Sequence, residues 1–150
     1  MPSSKTSAEL GALYQEMILD HYRRPRNKGT LENPDASVEM KNPLCGDEIG
    51  LQVEFDGENV SDVKFSGRGC SISQASASMM TQLVKGRSAG EIDALRKRFR
   101  ELMLGESSAA DEPELGSLRA LSGVARFPAR VKCALLAWNA LESALAQRQL

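Results

Sequence analysis

The change of hydrophobic period at Gly67-Arg68-Gly69, from alternating to helical, constrains the fold of this chain more than any other feature. Before these glycines, apolar residues alternate from Ile49 to Phe65 around a turn at Asp56-Gly57-Glu58-Asn59, which is typical of an antiparallel hairpin. After them, apolar residues recur at helical spacing from Ile72 to Leu83. The sequence therefore predicts strands that lead directly into a helix, with Cys70 at the junction.

Signals outside this stretch complete an α+β pattern. The predicted elements are a helix over Leu10–His21, a strand through Val38 and Met40, a helix from the capping box Ser88-Ala89-Gly90-Glu91 to Leu102, a short turn over Leu118–Leu121 and a long helix from Pro128. The polar stretch 105–116 lacks periodicity and is predicted to be a surface loop. We expect a small antiparallel sheet of about three strands packed by several helices, in one domain over residues 1–150.

Charge and hydropathy argue against several classes of partner. A chain of 150 residues with a formal net charge of −1 has no global field to recruit nucleic acid or an anionic membrane. The basic run Arg96, Lys97, Arg98 and Arg100 is more simply a solvated helix face than a nucleic-acid site. No apolar run is long enough to span a bilayer and the N-terminus lacks a signal-peptide pattern, so a cytoplasmic location is expected.

The three cysteines favour metal binding or thiol chemistry over a disulfide framework, because an odd thiol would remain and the cytosol keeps thiols reduced. Cys45 lies in the turn Asn42-Pro43-Leu44-Cys45-Gly46-Asp47, where the carboxylate of Asp47 can point at the same place as the thiolate. Cys70 begins a predicted helix, where unpaired backbone N–H groups favour the thiolate. Cys133 is predicted to lie opposite the apolar stripe of the last helix.

Three thiolates and one carboxylate match the donor set of tetrahedral zinc. The sequence therefore predicts a zinc site made by Cys45, Asp47, Cys70 and Cys133, with Arg130 and Lys132 offsetting the negative charge. Three inert buried thiols and a purely structural zinc site are the alternatives. The single histidine, His21, is predicted to be a helix-end residue with a hydrogen-bonded ring and is left off the metal.

Four motifs carry a resemblance to a known family. They are Asp20-His21-Tyr22 with Pro25-Arg26-Asn27, the turn 42–47, the run from Gly69-Cys70-Ser71-Ile72-Ser73 to Met80, and Phe127-Pro128-Ala129-Arg130-Val131-Lys132-Cys133. With these motifs the chain resembles the SufU family of zinc-dependent sulfurtransferases, which is related to IscU-type iron-sulfur scaffolds. The resemblance implies an IscU/NifU N-terminal-like fold and a role in iron-sulfur cluster assembly.

The resemblance also implies partners and residue roles. The sulfur donor would be a SufS-like, pyridoxal-phosphate cysteine desulfurase, and Cys45 would accept its persulfide sulfur and pass it to a downstream iron-sulfur scaffold. Zinc would be shared with Asp47, Cys70 and Cys133, and a histidine of the desulfurase would replace Cys45 on the metal. Arg130 matches a family arginine that assists docking or thiolate release.

One position separates the transfer branch of the family from the scaffold branch. Scaffolds carry a histidine just before the third cysteine, whereas this chain has Lys132, and an ammonium group cannot replace imidazole as a cluster ligand. Two alternatives stay open: a scaffold that binds a [2Fe-2S] cluster with the same residues, and a structural zinc module that only binds partners.

Overall fold

The computed structural model describes residues 7–43, 46–106, 108–109 and 112–148. Three strands, four α-helices and one 3₁₀ segment follow in the described chain: α1 (Ser7–Arg23), β1 (Ala36–Asn42), β2 (Asp47–Asp56), β3 (Asn59–Arg68), α2 (Ser71–Val84), α3 (Ala89–Met103), the 3₁₀ segment (Pro113–Arg126) and α4 (Pro128–Arg148). The predicted α+β class is confirmed. No helix in the described residues is long and apolar enough to cross a membrane.

The sheet is antiparallel in the order β1-β2-β3, as the alternating pattern predicts. Every second residue of β2, from Asp47 to Val53, is buried on one face, because successive side chains of a strand point to opposite sides. Helices α2 and α4 cover this face, so the sheet has one core side and one polar side. The covered face ends at Asp47, next to the junction that carries Cys70.

Helix α4 is buried on a different face from the one predicted. The expected stripe of Val131, Leu135, Trp138 and Leu145 contributes only Trp138 as a fully buried residue. The buried positions are mostly small ones: Cys133, Ala134, Leu136, Ala137, Ala140, Leu141 and Ala144. The interpretation that Cys133 faces away from the buried side is therefore wrong. Helix α4 contacts β1, β2, α2 and the 3₁₀ segment, so it is buried on more than one side. Alanine lines the faces where helices approach closely, and it gives little hydrophobic signal in the sequence.

The structure also differs from the predicted loop over 105–116 and from the short turn after it. Ala109 and Leu115 are fully buried, and a 3₁₀ segment of 14 residues begins at Pro113, interrupted at Gly116, where φ is 54°. Arg98 on α3 holds this stretch, since its guanidinium contacts a carboxylate oxygen of Glu112 at 3.1 Å. Glu112 belongs to the polar stretch that was predicted to be solvated, but in the structure its carboxylate forms an ion pair with the basic face of α3.

His21, at the end of α1, has the hydrogen-bonded ring that the sequence predicts. Its Nδ1 lies 2.8 Å from Ser78 Oγ, and the backbone N–H of Arg26 donates to the same oxygen at 2.8 Å. The ring is 5% exposed. Burial lowers the pKa of His21, and the nearby charge of Arg26 lowers it further, while Asp20 opposes the change. The folded protein therefore favours the neutral imidazole.

This pKa predicts a loss of stability in mild acid. A histidine whose pKa is lower in the folded state binds protons more readily when unfolded, so its contribution falls as the pH drops below about 6.5. Urea unfolding at about pH 7.5 and about pH 5.5 should show a larger loss for the wild type than for His21→Gln. Equal losses in the two proteins would contradict the prediction.

Candidate metal centre

Cys70 occupies the N-cap of α2, as the change in hydrophobic period predicts. Its backbone is extended (φ −70°, ψ 165°), and its Sγ accepts a hydrogen bond from the Ser73 N–H at 3.4 Å. The Ser73 hydroxyl donates to the Cys70 carbonyl at 3.1 Å, which closes the first turn of the helix. The sulfur therefore lies at the positive end of α2, beside the backbone N–H groups of its first turn.

Asp47 opens β2 and is 1% exposed. Its Oδ1 accepts the Cys70 N–H at 2.8 Å, and its Oδ2 lies 3.6 Å from Cys70 Sγ. One carboxylate oxygen thus fixes the backbone of the strand-to-helix junction, and the other lies on the side of the sulfur. Asp47 therefore positions Cys70 with one oxygen, and its other oxygen is one of the atoms that could hold a metal.

Gly69 makes this contact sterically possible. Its φ is +157°, and a Cβ built there would lie 2.2 Å from Asp47 Oδ1 and 2.8 Å from Ser73 Oγ. Heavy atoms without a bond between them do not approach that closely, so any side chain at 69 must displace the carboxylate. From the sequence pattern, this glycine was predicted only to end a strand. The signal for its role, a glycine directly before the cysteine in Gly67-Arg68-Gly69-Cys70, was present in the chain.

Gly69→Ala is therefore expected to weaken metal binding by about tenfold to a hundredfold, the range seen when a group that orients a ligand is lost. The displaced Asp47 would lose both its hydrogen bond to Cys70 and its alignment with the sulfur. Competition between the protein and a chromophoric chelator for zinc measures the affinity. Gly90→Ala is the matched control, since nothing lies within 4 Å of a Cβ at that position of α3. Equal affinities in the two variants would contradict the role given to Gly69.

The third residue of the candidate metal centre, Cys133, lies on α4. Its side chain is 2% exposed and its Sγ lies 3.7 Å from the Ala129 carbonyl oxygen, one turn earlier in the helix. The ligand atoms of Asp47, Cys70 and Cys133 all lie within 4.8 Å of one another. The fold thus brings together three residues that are widely separated in sequence, from the start of a strand, the cap of one helix and the second turn of another.

The donor set suits a thiophilic divalent ion. Two sulfurs and one carboxylate oxygen within this spacing can reach a single ion at the usual bond lengths of about 2.0 to 2.3 Å after small side-chain adjustments. Tetrahedral zinc takes four ligands, so these three leave one position. Cys45 is the predicted fourth ligand. It lies outside the described residues, and its place in the site stays a prediction.

The remaining predicted residues fall around the site or away from it. Arg130 and Lys132 are both exposed in the first turns of α4, on either side of Val131. Neither takes part in an ion pair within the described part of the chain. The ring of His21 makes its hydrogen bond with Ser78.

Comparison with known proteins agrees with this geometry. The model of the NifU-like N terminal domain matches residues 13–147. The zinc-dependent sulfurtransferase SufU of Bacillus subtilis is 49% identical over 95% of this chain and 96% of that protein. The iron-sulfur cluster assembly scaffold protein IscU of Streptococcus pyogenes is 46% identical over 92% of this chain and 86% of that protein.

Solved structures give the same result. A putative iron-sulfur cluster assembly scaffold protein for the SUF system from Fervidobacterium islandicum superimposes with a TM-score of 0.82 at 40% identity, covering 89% of this chain and 97% of that one. The N-terminal part of a NifU-like protein from Brucella abortus has a TM-score of 0.83 at 27% identity, covering 91% and 94%. The resemblance predicted from the motifs is confirmed, and the chain belongs to the NifU-like N-terminal domain family, together with SufU and IscU proteins.

Proposed function

We propose that this protein is a zinc-dependent sulfurtransferase of iron-sulfur cluster assembly, which accepts persulfide sulfur on Cys45. Asp47, Cys70 and Cys133 converge at the end of the sheet where β2 begins, two residues after Cys45 in the sequence, and this convergence carries the proposal. The 49% identity with a zinc-dependent sulfurtransferase over nearly the whole chain supports it.

The proposed metal ligands are Cys45, Asp47, Cys70 and Cys133. Zinc bound there would keep the thiols deprotonated near neutral pH and protect them from oxidation. The rest of the site is supplied by the chain itself: the Ser73 N–H holds the Cys70 sulfur, and the Cys70 N–H holds one oxygen of Asp47. These contacts fix two ligands independently of Cys45, so Cys45 can leave the site without loss of the others.

The sulfur transfer is an exchange between a thiolate and a persulfide. The Cys45 thiolate attacks the outer sulfur of a desulfurase persulfide, the new S–S bond forms on Cys45, and the desulfurase cysteine leaves as a thiolate. No net oxidant or reductant is needed. The donor is a SufS-like, pyridoxal-phosphate cysteine desulfurase, and the onward acceptor is an iron-sulfur scaffold. Arg130, exposed beside the site, assists docking or release of the thiolate. We expect the reaction to take place in the cytoplasm, where thiols stay reduced.

A scaffold that builds a [2Fe-2S] cluster is the second candidate, because several relatives bear the name of cluster assembly scaffold. Lys132 favours transfer over this alternative. It stands directly before Cys133 and is exposed, and a protonated ammonium group has no lone pair to offer iron. Aerobically purified protein should hold stoichiometric zinc and show no iron-sulfur absorption, whereas bound iron and labile sulfide would favour the scaffold.

The direct test follows the sulfur atom. Purified protein is mixed with the desulfurase and free cysteine, separated from both, and analysed by mass spectrometry without reductant. The peptide that contains Cys45 should gain the mass of one sulfur atom, and the peptides with Cys70 and Cys133 should not. Labelling on Cys70 or Cys133 alone would contradict the assignment of Cys45.

A further inference from the structure

Gln74 lies in the first turn of α2, one turn after Cys70, and is 3% exposed. Its Nε2 donates a hydrogen bond to Ser73 Oγ at 3.3 Å, whereas its Oε1 is buried and has no hydrogen-bond partner among the described residues. Proteins satisfy most of their buried polar atoms, because an unsatisfied one destabilises the fold. An apolar side chain of similar length would avoid this loss, so folding stability alone does not account for a glutamine here.

The direction of the Ser73 hydroxyl fixes the orientation of the Gln74 amide. The Ser73 O–H donates its single proton to the Cys70 carbonyl at 3.1 Å, because a carbonyl oxygen can only accept. The Ser73 oxygen can then only accept from Gln74, and a flipped amide would place two acceptors against each other. Nε2 therefore faces Ser73, and the unpartnered Oε1 is a consequence of that contact.

The contact belongs to a chain of hydrogen bonds that ends on Cys70. The Gln74 side chain donates to Ser73 Oγ, and the Ser73 hydroxyl donates to the Cys70 carbonyl, which also accepts the Gln74 backbone N–H at 3.2 Å. Asp47 Oδ1 accepts the Cys70 N–H on the other side. Hydrogen bonds in such a chain polarise and strengthen one another away from water. The backbone of Cys70 is thus anchored at both its N–H and its carbonyl.

Close packing makes the metal centre sensitive to the position of Ser73. A Cβ built on Gly69 would lie 2.8 Å from Ser73 Oγ and closer still to Asp47 Oδ1, so both oxygens pack on the same glycine. The Ser73 N–H also holds the Cys70 sulfur at 3.4 Å. A shift of Ser73 therefore moves the sulfur and crowds the carboxylate, and these two groups supply two of the three atoms that could hold a metal.

We propose that Gln74 is a positioning residue of the metal centre, which acts through Ser73 to hold the Cys70 sulfur in the direction that zinc binding needs. The proposal rests on the proposed function, because it takes the ion to be zinc held by Asp47, Cys70 and Cys133. Groups that orient metal ligands change metal affinity by about tenfold to a hundredfold. The unpartnered Oε1 then lowers the stability of the metal-free fold, as groups retained for function often do.

The first test replaces Gln74 with methionine in the full-length protein, because methionine keeps the unbranched shape and lacks the amide. Zinc affinity, measured by competition with a chromophoric chelator, should fall about tenfold. The visible bands of the cobalt-loaded variant should shift, since they report the geometry around the metal. Metal-free Gln74→Met should melt at or above the wild-type temperature, because removal of an unsatisfied acceptor offsets the lost hydrogen bond. Gln82→Met, at an exposed position of the same helix, is the matched control and should behave as the wild type.

A second set of variants tests the path through Ser73. Ser73→Ala removes the oxygen on which Gln74 acts, so the double variant Ser73→Ala/Gln74→Met should lose no more zinc affinity than Ser73→Ala alone. Ser78→Ala is the control, because it removes another buried hydroxyl of α2, one that contacts His21 instead of the junction. This control should keep the zinc affinity of the wild type.

Wild-type zinc affinity in Gln74→Met would overturn the role of Gln74, whatever its melting temperature. Additive losses of affinity in the double variant would overturn the path through Ser73. If Gln74→Met lowers the melting temperature as well as the affinity, the double variant still decides, because a general loss of packing would add to the loss from Ser73→Ala. A wild-type protein that binds no zinc would overturn both this role and the proposed zinc centre.

Discussion

Cys45→Ala is expected to reduce desulfurase turnover to the rate of the desulfurase alone, although the variant still binds zinc. The substitution removes the only thiol assigned to accept sulfur, so the persulfide on the desulfurase has no acceptor and the next cycle cannot begin. Asp47, Cys70 and Cys133 remain, and their ligand atoms lie within 4.8 Å of one another. A water molecule can complete a tetrahedral site that has three protein ligands.

Alanine formation from free cysteine, measured with zinc content on the same samples, checks this expectation. Dithiothreitol provides the internal control, because a small thiol accepts sulfur directly from the desulfurase and should restore turnover whether Cys45 is present or not. Full stimulation by the variant without dithiothreitol would defeat the acceptor assignment and favour a structural zinc module. Loss of both zinc and stimulation would leave Cys45 as a ligand whose role in transfer must be decided by the sulfur-labelling experiment.

The parts of the fold that depend on neighbours in sequence could be predicted from the sequence. Alternation from Ile49 to Phe65 predicted the hairpin, because the side-chain period of a strand is fixed by its backbone. The box formed by Ser88 and Glu91 predicted the start of α3, and both of its hydrogen bonds are present. Cys70 was placed at a helix start for the same reason, since a change of period is a local property of the chain.

The parts that depend on distant contacts could not be predicted in this way. The buried face of α4 was misjudged because Ala134, Ala137 and Ala140 carry a weak hydrophobic signal, although their small size permits close packing. The approach of Cys133 to Asp47 depends on how α4 crosses the sheet, which no local pattern contains. The choice of Asp47, Cys70 and Cys133 as site residues came from their residue types and from the motif resemblance, not from periodicity.

Cys133→Ala is expected to lose most of the stabilisation that zinc provides. Apparent binding free energies of structural zinc in small domains are about 10 to 16 kcal/mol, so removing one of four ligands should weaken binding by roughly a hundredfold to a thousandfold. The side chain of Cys133 is 2% exposed. Its neighbours in the helix, Lys132 and Ala134, carry an ammonium group and a methyl group, and neither group can replace the lost sulfur as a zinc ligand.

The effect on melting temperature follows from mass action. Free zinc at about a thousand times the dissociation constant stabilises the wild type by about 4 kcal/mol, which corresponds to roughly 8 to 16 °C for a chain of this length. A hundredfold weaker site at the same zinc concentration gains only about 1.4 kcal/mol, or roughly 3 to 6 °C. Calorimetric melting of both proteins with and without zinc measures the difference. Each metal-free protein serves as its own control for the loss of packing around residue 133, so an equal zinc-induced rise in the two proteins would show that Cys133 is not a ligand.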